Sequence, residues 1–565
     1  MDPLRALPTE IVLRMLDFSC VSTIANLTRT TKVWHDFIDG THQETIYSSH
    51  GKTAHPHGTH DLSFLDESGS FAKYLSGTSS WKELCKRQTL LRRNWNREAP
   101  ITRESVIQVG NDAVWRFRAD FKRRFFLSTS QQGGLNVTDM DTGSLLWRLS
   151  HEEVRPFAHL EYQDGMAVWD REGDAVEIWK TDIDGLPRGA FRRTAILPHD
   201  CQTRGFQLSY NTLCVISTQG RGFVYDVAQD PPSLRTRLKI DNGAVGHLDQ
   251  NAEVVVVSMG KNGYHIYDKE TSARLGTFEP AKCTNLYHIV HPPRPPNSVL
   301  STDTFDSLPS TDIFPPKQPN RERLTPIEVA SGPFSFRSEN SHVRWEDDDW
   351  GAALLSGPLM VGISRGGRVL VCPDWRSAIC DPRTFGAMSC VIECESDGSS
   401  FDLGGWLSVR DNRIAFEIQD RVYVVALDEE SSLPIVRSAD RRPSFVFNTS
   451  LTQLAVPVSF MSICEDSIMT TYTTLGSRRR TEATGPTGQE HANRSRIFPT
   501  KAIRVLSFAP NLELGDDEEL LIRTSSPSRP DEDRHSSILE IMDMLSDEED
   551  RSGSDEDEVN AEGVW

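Results

Sequence analysis

The sequence predicts a mainly β protein, a β-propeller of about seven blades, preceded by a three-helix module and a helical connector. Beyond residue 103, short segments of alternating apolar and polar residues return at intervals of 40, 47 and 42 residues. Near the N-terminus, apolar side chains instead recur three or four positions apart, which is the spacing of a helix. The chain ends differently again, because residues 516–565 hold 18 acidic side chains and four arginines.

Residues 1–45 form the first predicted element. Their apolar residues indicate three short helices, in a segment too short to close a core of its own, because units below about 40 residues rarely do so. Some of that apolar surface should therefore belong to a partner. The alternative is an ordinary N-terminal helical hairpin packed on its own domain.

Two short motifs in this segment carry a resemblance. Leu7-Pro8-Thr9-Glu10-Ile11 opens it and Lys32-Val33-Trp34 closes it, a pattern that resembles the F-box. The resemblance implies that the segment binds the Skp adaptor of a cullin ubiquitin ligase. The residues that match the family's pattern, and are expected to form the adaptor interface, are Leu7, Pro8, Ile11, Leu27, Val33 and Trp34.

The next two elements are a linker and a connector. Residues 46–80 are rich in Gly, Ser, Thr and His and predict a flexible linker. Residues 81–99 predict a helix with one apolar face, formed by Trp81, Leu84, Cys85, Gln88, Leu91 and Trp95. This helix looks like the connector between an F-box and a WD-repeat propeller. Its basic opposite face suggests a solvated surface, with RNA binding as the alternative.

Residues 103–510 contain the repeated strands, whose spacing resembles the WD-repeat period. Seven segments predict equivalent strands of successive blades: 135–139, 176–179, 223–226, 265–268, 369–374, 422–428 and 503–508. Two overlong intervals contain composition breaks, which predict insertions at about 291–350 and 476–500. Six or eight blades and a β-sandwich remain as alternatives.

Charge and composition exclude several classes of protein. The chain carries 81 acidic and 61 basic residues, a net charge of −20, of which the tail supplies −14. Such a balance opposes nonspecific nucleic-acid binding. There is neither a signal-peptide pattern nor a long apolar run, so no membrane span is expected. The ten scattered cysteines favour a reduced compartment, cytoplasmic and/or nuclear.

No motif for catalysis or cofactor binding is present, and neither is predicted. His50, His55, His57 and His60 lie close together, but their flexible setting lacks the regular ligand pairs of a zinc site, and no metal is predicted. Residues 511–565 predict a disordered acidic tail. Within it, residues 538–545 include a short apolar cluster, which favours either a partner-binding peptide or a frayed surface helix.

These features together predict a substrate receptor, in which the F-box docks on the adaptor and the propeller holds a target protein for ubiquitylation. The turns before the third strands carry cations that we expect on one face: Arg171, Arg221, Lys261, Arg365, Arg368 and Arg421. If they converge, the target is acidic or phosphorylated; ordinary exposed turns are the simpler interpretation. Two other functions stay open, a scaffold or regulator that binds the adaptor outside a ligase, and a propeller with a small-ligand or enzymatic site in its channel.

Overall fold

The structure is a computed structural model, and it describes most of the chain up to residue 510. The described residues are 3–51, 62, 65, 70–97, 100–110, 113–171, 175–241, 244, 246–290, 324–333, 348–396, 406–418, 421–436, 443–450, 458–478 and 496–510. The acidic tail, His55, His57, His60 and parts of both predicted insertions lie outside these residues.

Short helices form the N-terminal part, which we call the helical module. They are α1 (Pro3–Ala6), α2 (Thr9–Asp17), α3 (Val21–Leu27), α4 (Lys32–His35), a π-helical turn (Asp36–Thr41) and α5 (Gln43–His50). The connector is α6 (Trp81–Trp95). Its first turn is capped on both sides, because the Ser80 hydroxyl accepts from the Glu83 amide while the Glu83 carboxylate accepts from the Ser79 amide. The helical module thus extends past residue 45, into the segment predicted as a linker.

Thirty strands follow in the described part of the chain. They are β1 (Arg103–Ile107), β2 (Val114–Asp120), β3 (Phe125–Ser130), β4 (Leu135–Asp139), β5 (Leu145–Leu149), β6 (Leu160–Gln163), β7 (Met166–Asp170), β8 (Ala175–Lys180), β9 (Arg192–Pro198), β10 (Thr203–Ser209), β11 (Thr212–Ser217), β12 (Arg221–Asp226), β13 (Ser233–Lys239), β14 (Leu248–Gln250), β15 (Val254–Ser258), β16 (Tyr264–Asp268), β17 (Arg274–Phe278), β18 (Asn285–Val290), β19 (Thr325–Ser331), β20 (Trp350–Ser356), β21 (Leu359–Ser364), β22 (Arg368–Cys372), β23 (Cys390–Glu393), β24 (Leu407–Arg410), β25 (Arg413–Ile418), β26 (Arg421–Ala426), β27 (Ser444–Asn448), β28 (Met461–Ile463), β29 (Ser467–Arg478) and β30 (Arg496–Ser507).

The strands make a mainly β, propeller-like fold of four-stranded antiparallel units. Four sheets contain four consecutive strands each, from β2–β5 to β14–β17, and a ten-stranded sheet contains two further runs, β20–β23 and β24–β27. In the closing sheet, β1 pairs with β30, so the first strand of the chain completes the unit that the last three strands begin. The first strands of successive units contact one another, and β2 contacts β29 and β30, which closes a ring.

The ten-stranded sheet arises from a hairpin that joins two neighbouring units. β18 pairs with β23 in parallel, β19 pairs with β27 antiparallel, and β18 and β19 pair with each other. β19 lies within the insertion predicted at 291–350, so that part of the insertion is a strand. Two short helices, α7 (Trp375–Cys380) and α8 (Pro382–Met388), separate β22 from β23. The insertion predicted at 476–500 is also shorter than expected, because β29 and β30 remain paired as far as Arg478 and Arg496.

Each of the seven repeated segments found in the sequence lies on the third strand of a four-stranded unit. Five of the seven segments end in an aspartate, and the carboxylate has a structural role at the turn that follows. Asp139, Asp268 and Asp428 each accept hydrogen bonds from two backbone amides and a hydroxyl of the next three residues, so the carboxylate closes the turn. In these three segments, the repeated aspartate therefore reflects a repeated turn.

Candidate functional site

The helical module exposes an unusual amount of apolar surface. Its exposed large hydrophobic residues, which we call the apolar set, are Leu7, Ile11, Met15, Phe18 and Val33, with exposed fractions from 39% to 80%. Ile11, Met15 and Phe18 follow one another by four and three positions along α2 and its end, so they share one helix face. Single exposed apolar residues are ordinary, but a row of them on one face marks an interaction surface.

The opposite face of the module packs inward. Val12 and Leu16 of α2, Ile24 of α3 and Ile46 of α5 are buried in one core cluster. Of the residues predicted to bind the adaptor, Leu7, Pro8, Ile11 and Val33 are exposed, whereas Leu27 and Trp34 are partly buried against that core. Leu27 and Trp34 therefore support the module from within as well as facing its surface.

The connector fixes the module to the closing sheet. The Trp95 ring stacks on Phe508 with centroids 3.6 Å apart, and its indole N–H donates to the carbonyl of Glu465. The Asn94 amide donates to the carbonyls of Phe508 and Ile101, each at 2.7 Å. Helix and sheet thus share one apolar core that is held at its edge by hydrogen bonds.

A second attachment comes from the segment predicted as a flexible linker. The buried Asp466 carboxylate, at the turn between β28 and β29, accepts hydrogen bonds from the Ser70 hydroxyl and from the amides of Phe71 and Ala72. Tyr74 and Leu75, which follow in the same segment, are buried as well. The described residues 70–80 are therefore fixed to the body of the protein, which departs from the sequence prediction.

The cations predicted to form a substrate face have different surroundings. Arg368 is only 3% exposed and pairs with Asp348 at 2.6 Å and Glu393 at 3.3 Å, so it supports the interior and the prediction of a surface role is corrected. Arg221 pairs with Asp200 at 2.7 Å, and Arg171 lies 3.8 Å from Glu177. Of the remaining three, Lys261 is exposed on its turn, Arg365 is partly buried on its turn, and Arg421 is the partly buried first residue of β26.

Arg171 also lines a polar cleft of about 720 Å³ beside the unit β6–β9. The cations around it are matched by acids: Arg193 lies 3.1 Å from Glu177, and the Arg155 Nε lies 2.7 Å from Asp170. Because these charges are paired, the cleft offers little net charge to a ligand.

A different group of charged residues meets at one end of the ring formed by the first strands. We call it the channel mouth; it comprises Arg116, Arg118, His159, Glu161, Arg204, His247, Trp406 and Phe460, which lie on or beside β2, β6, β10, β14, β24 and β28. The guanidinium of Arg116 lies 4.3 Å from the Trp406 ring centre, and that of Arg118 lies 4.2 Å from Phe460. Both arginines lie on β2, near the start of the ring, whereas Trp406 precedes β24 and Phe460 precedes β28. Side chains about 300 or more positions apart in the sequence therefore meet here.

One carboxylate at the channel mouth is fully engaged. Glu161 accepts from Arg118 at 2.6 Å and contacts His159 at 2.8 Å. Burial of Glu161 opposes its ionisation, but Arg118 and His159 outweigh burial and lower its pKa to about 2. Arg118 and Glu161 therefore neutralise each other.

His247 at the channel mouth is held neutral at pH 7. Burial, together with the nearby charges of Arg116, His159 and Arg204, lowers the pKa of His247 to about 4. Burial and the neighbouring Arg118 likewise lower the pKa of Arg116 to about 10, which leaves it charged at neutral pH. The named charged residues of the channel mouth, Arg116, Arg118, Arg204 and Glu161, therefore carry a net positive charge.

Sequence reasoning did not single out the channel mouth. Arg116 stands between Trp115 and Phe117, and Arg204 and His247 lie in other units, so no local motif joins them. The sequence signal that could have revealed this site is the presence of charged residues on the first strands of the units. A packed interior would favour apolar residues there.

Within the residues that the structure describes, no His, Cys, Asp or Glu side chains group as metal ligands. His50, the described member of the histidine cluster, instead contacts the carbonyl of Leu16 at 3.1 Å. None of the described helices is both long and apolar enough to cross a membrane.

No family model and no curated protein sequence matches the chain. Similar solved structures include the β-propeller domain of Cps50 (Swd1) from Myceliophteria thermophila, with a TM-score of 0.40 and 9% identity over 72% of this chain and 99% of that one. Sqt1 of Saccharomyces cerevisiae has a TM-score of 0.40 and 9% identity over 73% and 100%. BamB from Moraxella catarrhalis has a TM-score of 0.37 and 12% identity over 72% and 99%. These values are too low to bear on function.

Proposed function

We propose that this protein is the substrate-recognition subunit of a Skp–cullin–F-box ubiquitin ligase. Its helical module is an F-box that binds the Skp adaptor, and its β body is a propeller that binds the target protein. The observation that carries the proposal is the apolar set, whose exposed residues include Leu7, Ile11 and Val33 of the F-box-like motifs. The receptor itself forms no bond, because the thioester chemistry belongs to other subunits.

We infer seven blades for the propeller. Four complete sheets, two runs within the ten-stranded sheet and the closing sheet each supply four antiparallel strands. The hairpin β18–β19 then lies outside the blade pattern, as an addition to the outer strands of two neighbouring blades.

The attachment of the module supports a role that depends on geometry. Trp95 packs on Phe508, and Asp466 holds residues 70–72, so module and propeller have little freedom to rotate against each other. A receptor that works by proximity gains from such rigidity, because the target stays at a constant distance from the transferring enzyme. We place this assembly in the cytoplasm and/or nucleus.

Affinity purification from cells with the proteasome blocked tests the proposal. The double variant Leu7→Asp, Ile11→Asp introduces charge into the apolar set without altering a buried side chain. We expect recovery of adaptor and cullin to fall by about tenfold or more, since an interface centre tolerates an unpaired charge poorly.

The matched control is Leu145→Asp, because Leu145 on β5 is 51% exposed and Ile11 is 49% exposed. We expect the control to recover adaptor and cullin like the intact chain. Equal recovery by the double variant and the intact chain would refute the F-box assignment. Recovery of adaptor without cullin by the intact chain would favour a scaffold or regulator outside a ligase.

A second function, ligand binding in the propeller channel, is favoured by one observation. Polar side chains from non-neighbouring units converge at the channel mouth, with aromatic rings beside two of the arginines. Such convergence is typical of ligand sites.

A further inference from the structure

Phe157 has a backbone conformation that disfavours its side chain. It follows Pro156 in a turn between β5 and β6, and its φ is +55°. A proline followed by a residue of positive φ is the pattern of a type II turn, where glycine is the usual residue at the second of these positions. A bulky residue in the left-handed region is strained, and such strain is concentrated at functional sites.

The surrounding contacts hold this turn in place. The Phe157 amide donates to the carbonyl of Ser130 at 3.3 Å, and the Thr129 hydroxyl donates to the carbonyl of Ala158 at 2.9 Å. Val154 and Ala158 are fully buried, whereas Phe157 is 50% exposed. The turn is therefore fixed through the neighbours of Phe157, and burial of the ring does not explain why a phenylalanine stands here.

A second aromatic ring meets Phe157 at the start of β2. Trp115 lies where the register of β2 against β3 shifts, and a bulge of this kind redirects a side chain. Its ring is partly exposed and contacts the ring of Phe157 edge to face, with centroids 5.2 Å apart. Neither ring joins an apolar core cluster in the described part of the chain. Two separate backbone irregularities thus present adjacent aromatic rings.

The polar cleft beside the unit β6–β9 adjoins these rings, because Arg155 and Pro156, which precede Phe157, line it. Its volume of about 720 Å³ lies within the usual range of ligand sites. Its arginines pair with its acids, as Arg155 does with Asp170. Net charge therefore contributes little here, and the surface fits an apolar group on the rings with uncharged polar groups beside it.

We propose that Phe157 and Trp115 bind one large apolar side chain of an extended peptide from a partner protein, and that uncharged polar residues next to it occupy the cleft. The inference rests on the proposed role of the propeller in binding a target protein, and it names the chemistry of the bound segment. Aromatic residues suit such a site, because they offer a large and rigid contact area at a small cost in conformational entropy.

A random peptide library, displayed on phage and selected against the full-length chain, supplies the probe. We expect the selected sequences to share one Leu, Met, Phe or Trp among uncharged polar residues. Fluorescence polarisation of a labelled copy then measures affinity, and Phe157→Gly should weaken binding by about tenfold or more, the usual loss at the centre of an interface. The variant should melt close to the intact chain, because relief of backbone strain offsets the lost ring contact.

Tyr210→Gly is the matched control. Tyr210 is also aromatic, with a similar φ of +52° and a similar exposure of 56%, but it lies in the two-residue turn between β10 and β11. Hairpin turns of that length require positive φ, so the turn itself accounts for its conformation. We expect the control to bind the peptide as the intact chain does.

Selection of charged sequences, or of no sequence at all, would overturn the proposal, as would equal losses in Phe157→Gly and Tyr210→Gly. Self-association of the full-length chain that Phe157→Gly abolishes would overturn it in favour of a second copy on the rings. Phe157→Asn carries the test if the glycine variant does not fold, since asparagine tolerates the left-handed region. Unfolding of both variants would show that the ring serves stability and would also overturn the site.

Adaptor recovery, measured on the same preparations, keeps this proposal separate from the F-box assignment. We expect Phe157→Gly to recover the adaptor like the intact chain. Failure of the intact chain to recover the adaptor, with peptide binding present, refutes the F-box assignment alone.

Discussion

At the scale of single residues, the closing sheet depends on one buried ion pair. Arg504 of β30 is 1% exposed and lies 2.9 Å from Glu104 of β1, and its guanidinium also packs on the rings of Tyr472 and Phe447. The pair joins the first strand of the chain to the last. Removal of one partner leaves the other charge buried without compensation, which is more harmful than loss of the pair as a whole.

We predict that Glu104→Gln lowers the free energy of unfolding by about 3 kcal/mol, the usual scale for a buried pair that loses one partner. Urea unfolding followed by circular dichroism measures it. Glu270→Gln is the control, because Glu270 and Arg235 form an exposed pair that should contribute less than about 1 kcal/mol. Equal losses in the two variants would contradict the structural role of Glu104.

The channel mouth predicts a pH dependence that originates in His247. Burial, Arg116, His159 and Arg204 lower its pKa to about 4, below the value of about 6.5 expected in the unfolded chain. Between these pH values the unfolded chain binds more protons, so stability rises with pH. We predict that the free energy of unfolding falls as pH drops from about 6.5 to about 4, and that His247→Gln flattens this slope.

Thermal or urea unfolding at several pH values tests this prediction. His159 titrates in the same direction, because burial and Arg116 lower its pKa, so His159→Gln is a useful companion variant. An unchanged slope in the chain that carries both substitutions would show that the channel mouth does not govern the pH response.

Residue roles could be predicted from the sequence only where the cause was local. The aspartates that end the third strands were visible as a repeat, because each closes a turn within its own three following residues. Arg368 was misplaced on the surface, since its partners Asp348 and Glu393 lie 20 and 25 residues away and give no local signal. The channel mouth was even harder to predict from the sequence, because its residues come from several units.

At the scale of elements, three turns with the same aspartate place their fifth residue in the left-handed region. Gly143 has φ of +69°, whereas Ser272 and Ser432 have +61° and +53°. Glycine adopts this conformation without strain, and a serine there costs about 1 kcal/mol. The three turns therefore allow glycine and serine to be compared at the same position of the same backbone conformation.

We predict that Ser272→Gly and Ser432→Gly each raise the free energy of unfolding by up to about 1 kcal/mol, and that Gly143→Ser lowers it by a similar amount. Opposite shifts in melting temperature are the expected result. Shifts of the same sign in the forward and reverse substitutions would show that the side chain at this position has another role.

The elements themselves were predictable to different degrees. The third strands and the apolar face of α6 follow from periodicity, which depends on neighbouring residues. The hairpin β18–β19 was not predictable, because β18 pairs with β23 and β19 with β27, which lie more than 100 residues away in each case. The segment 70–80 was assigned to a linker because it lacks periodicity, yet Asp466 supplies the order that its own composition does not.

At the scale of the whole molecule, the helical module and the closing sheet share one core. That cluster includes Val12 and Leu16 of α2, Trp95 of α6, and Leu506 and Phe508 of the sheet. Elements that bury apolar surface against each other tend to unfold together. We predict that residues 3–510 melt in a single calorimetric transition.

Trp95→Ala should weaken that coupling and cost about 3 to 5 kcal/mol, because it removes a buried ring stacked on Phe508. We expect its heat-capacity profile to broaden or split as the module melts first. Two separate transitions in the intact chain would contradict the shared core, as would a Trp95→Ala profile identical to that of the intact chain.

The repeat period in the sequence predicted a ring of four-stranded units. It did not predict which strands close that ring. No residue in β1 indicates that its partner is β30, some 400 positions away. The association of module and sheet was similarly hidden, since it depends on the closed ring to bring Trp95 and Phe508 together.

The hairpin β18–β19 has a mechanical consequence. Elsewhere in the described part of the ring, main-chain contact between neighbouring units consists of isolated hydrogen bonds, such as that from the Trp350 amide to the Gly260 carbonyl, but here continuous strand pairings cross the boundary from β23 to β27. This boundary resists shear, because several backbone hydrogen bonds must break at once before the two units can slide past each other. When force is applied to the two ends of the chain, the ring should open at the closing sheet or at a boundary that no strand pairing crosses. The units β20–β23 and β24–β27 should be the last to separate.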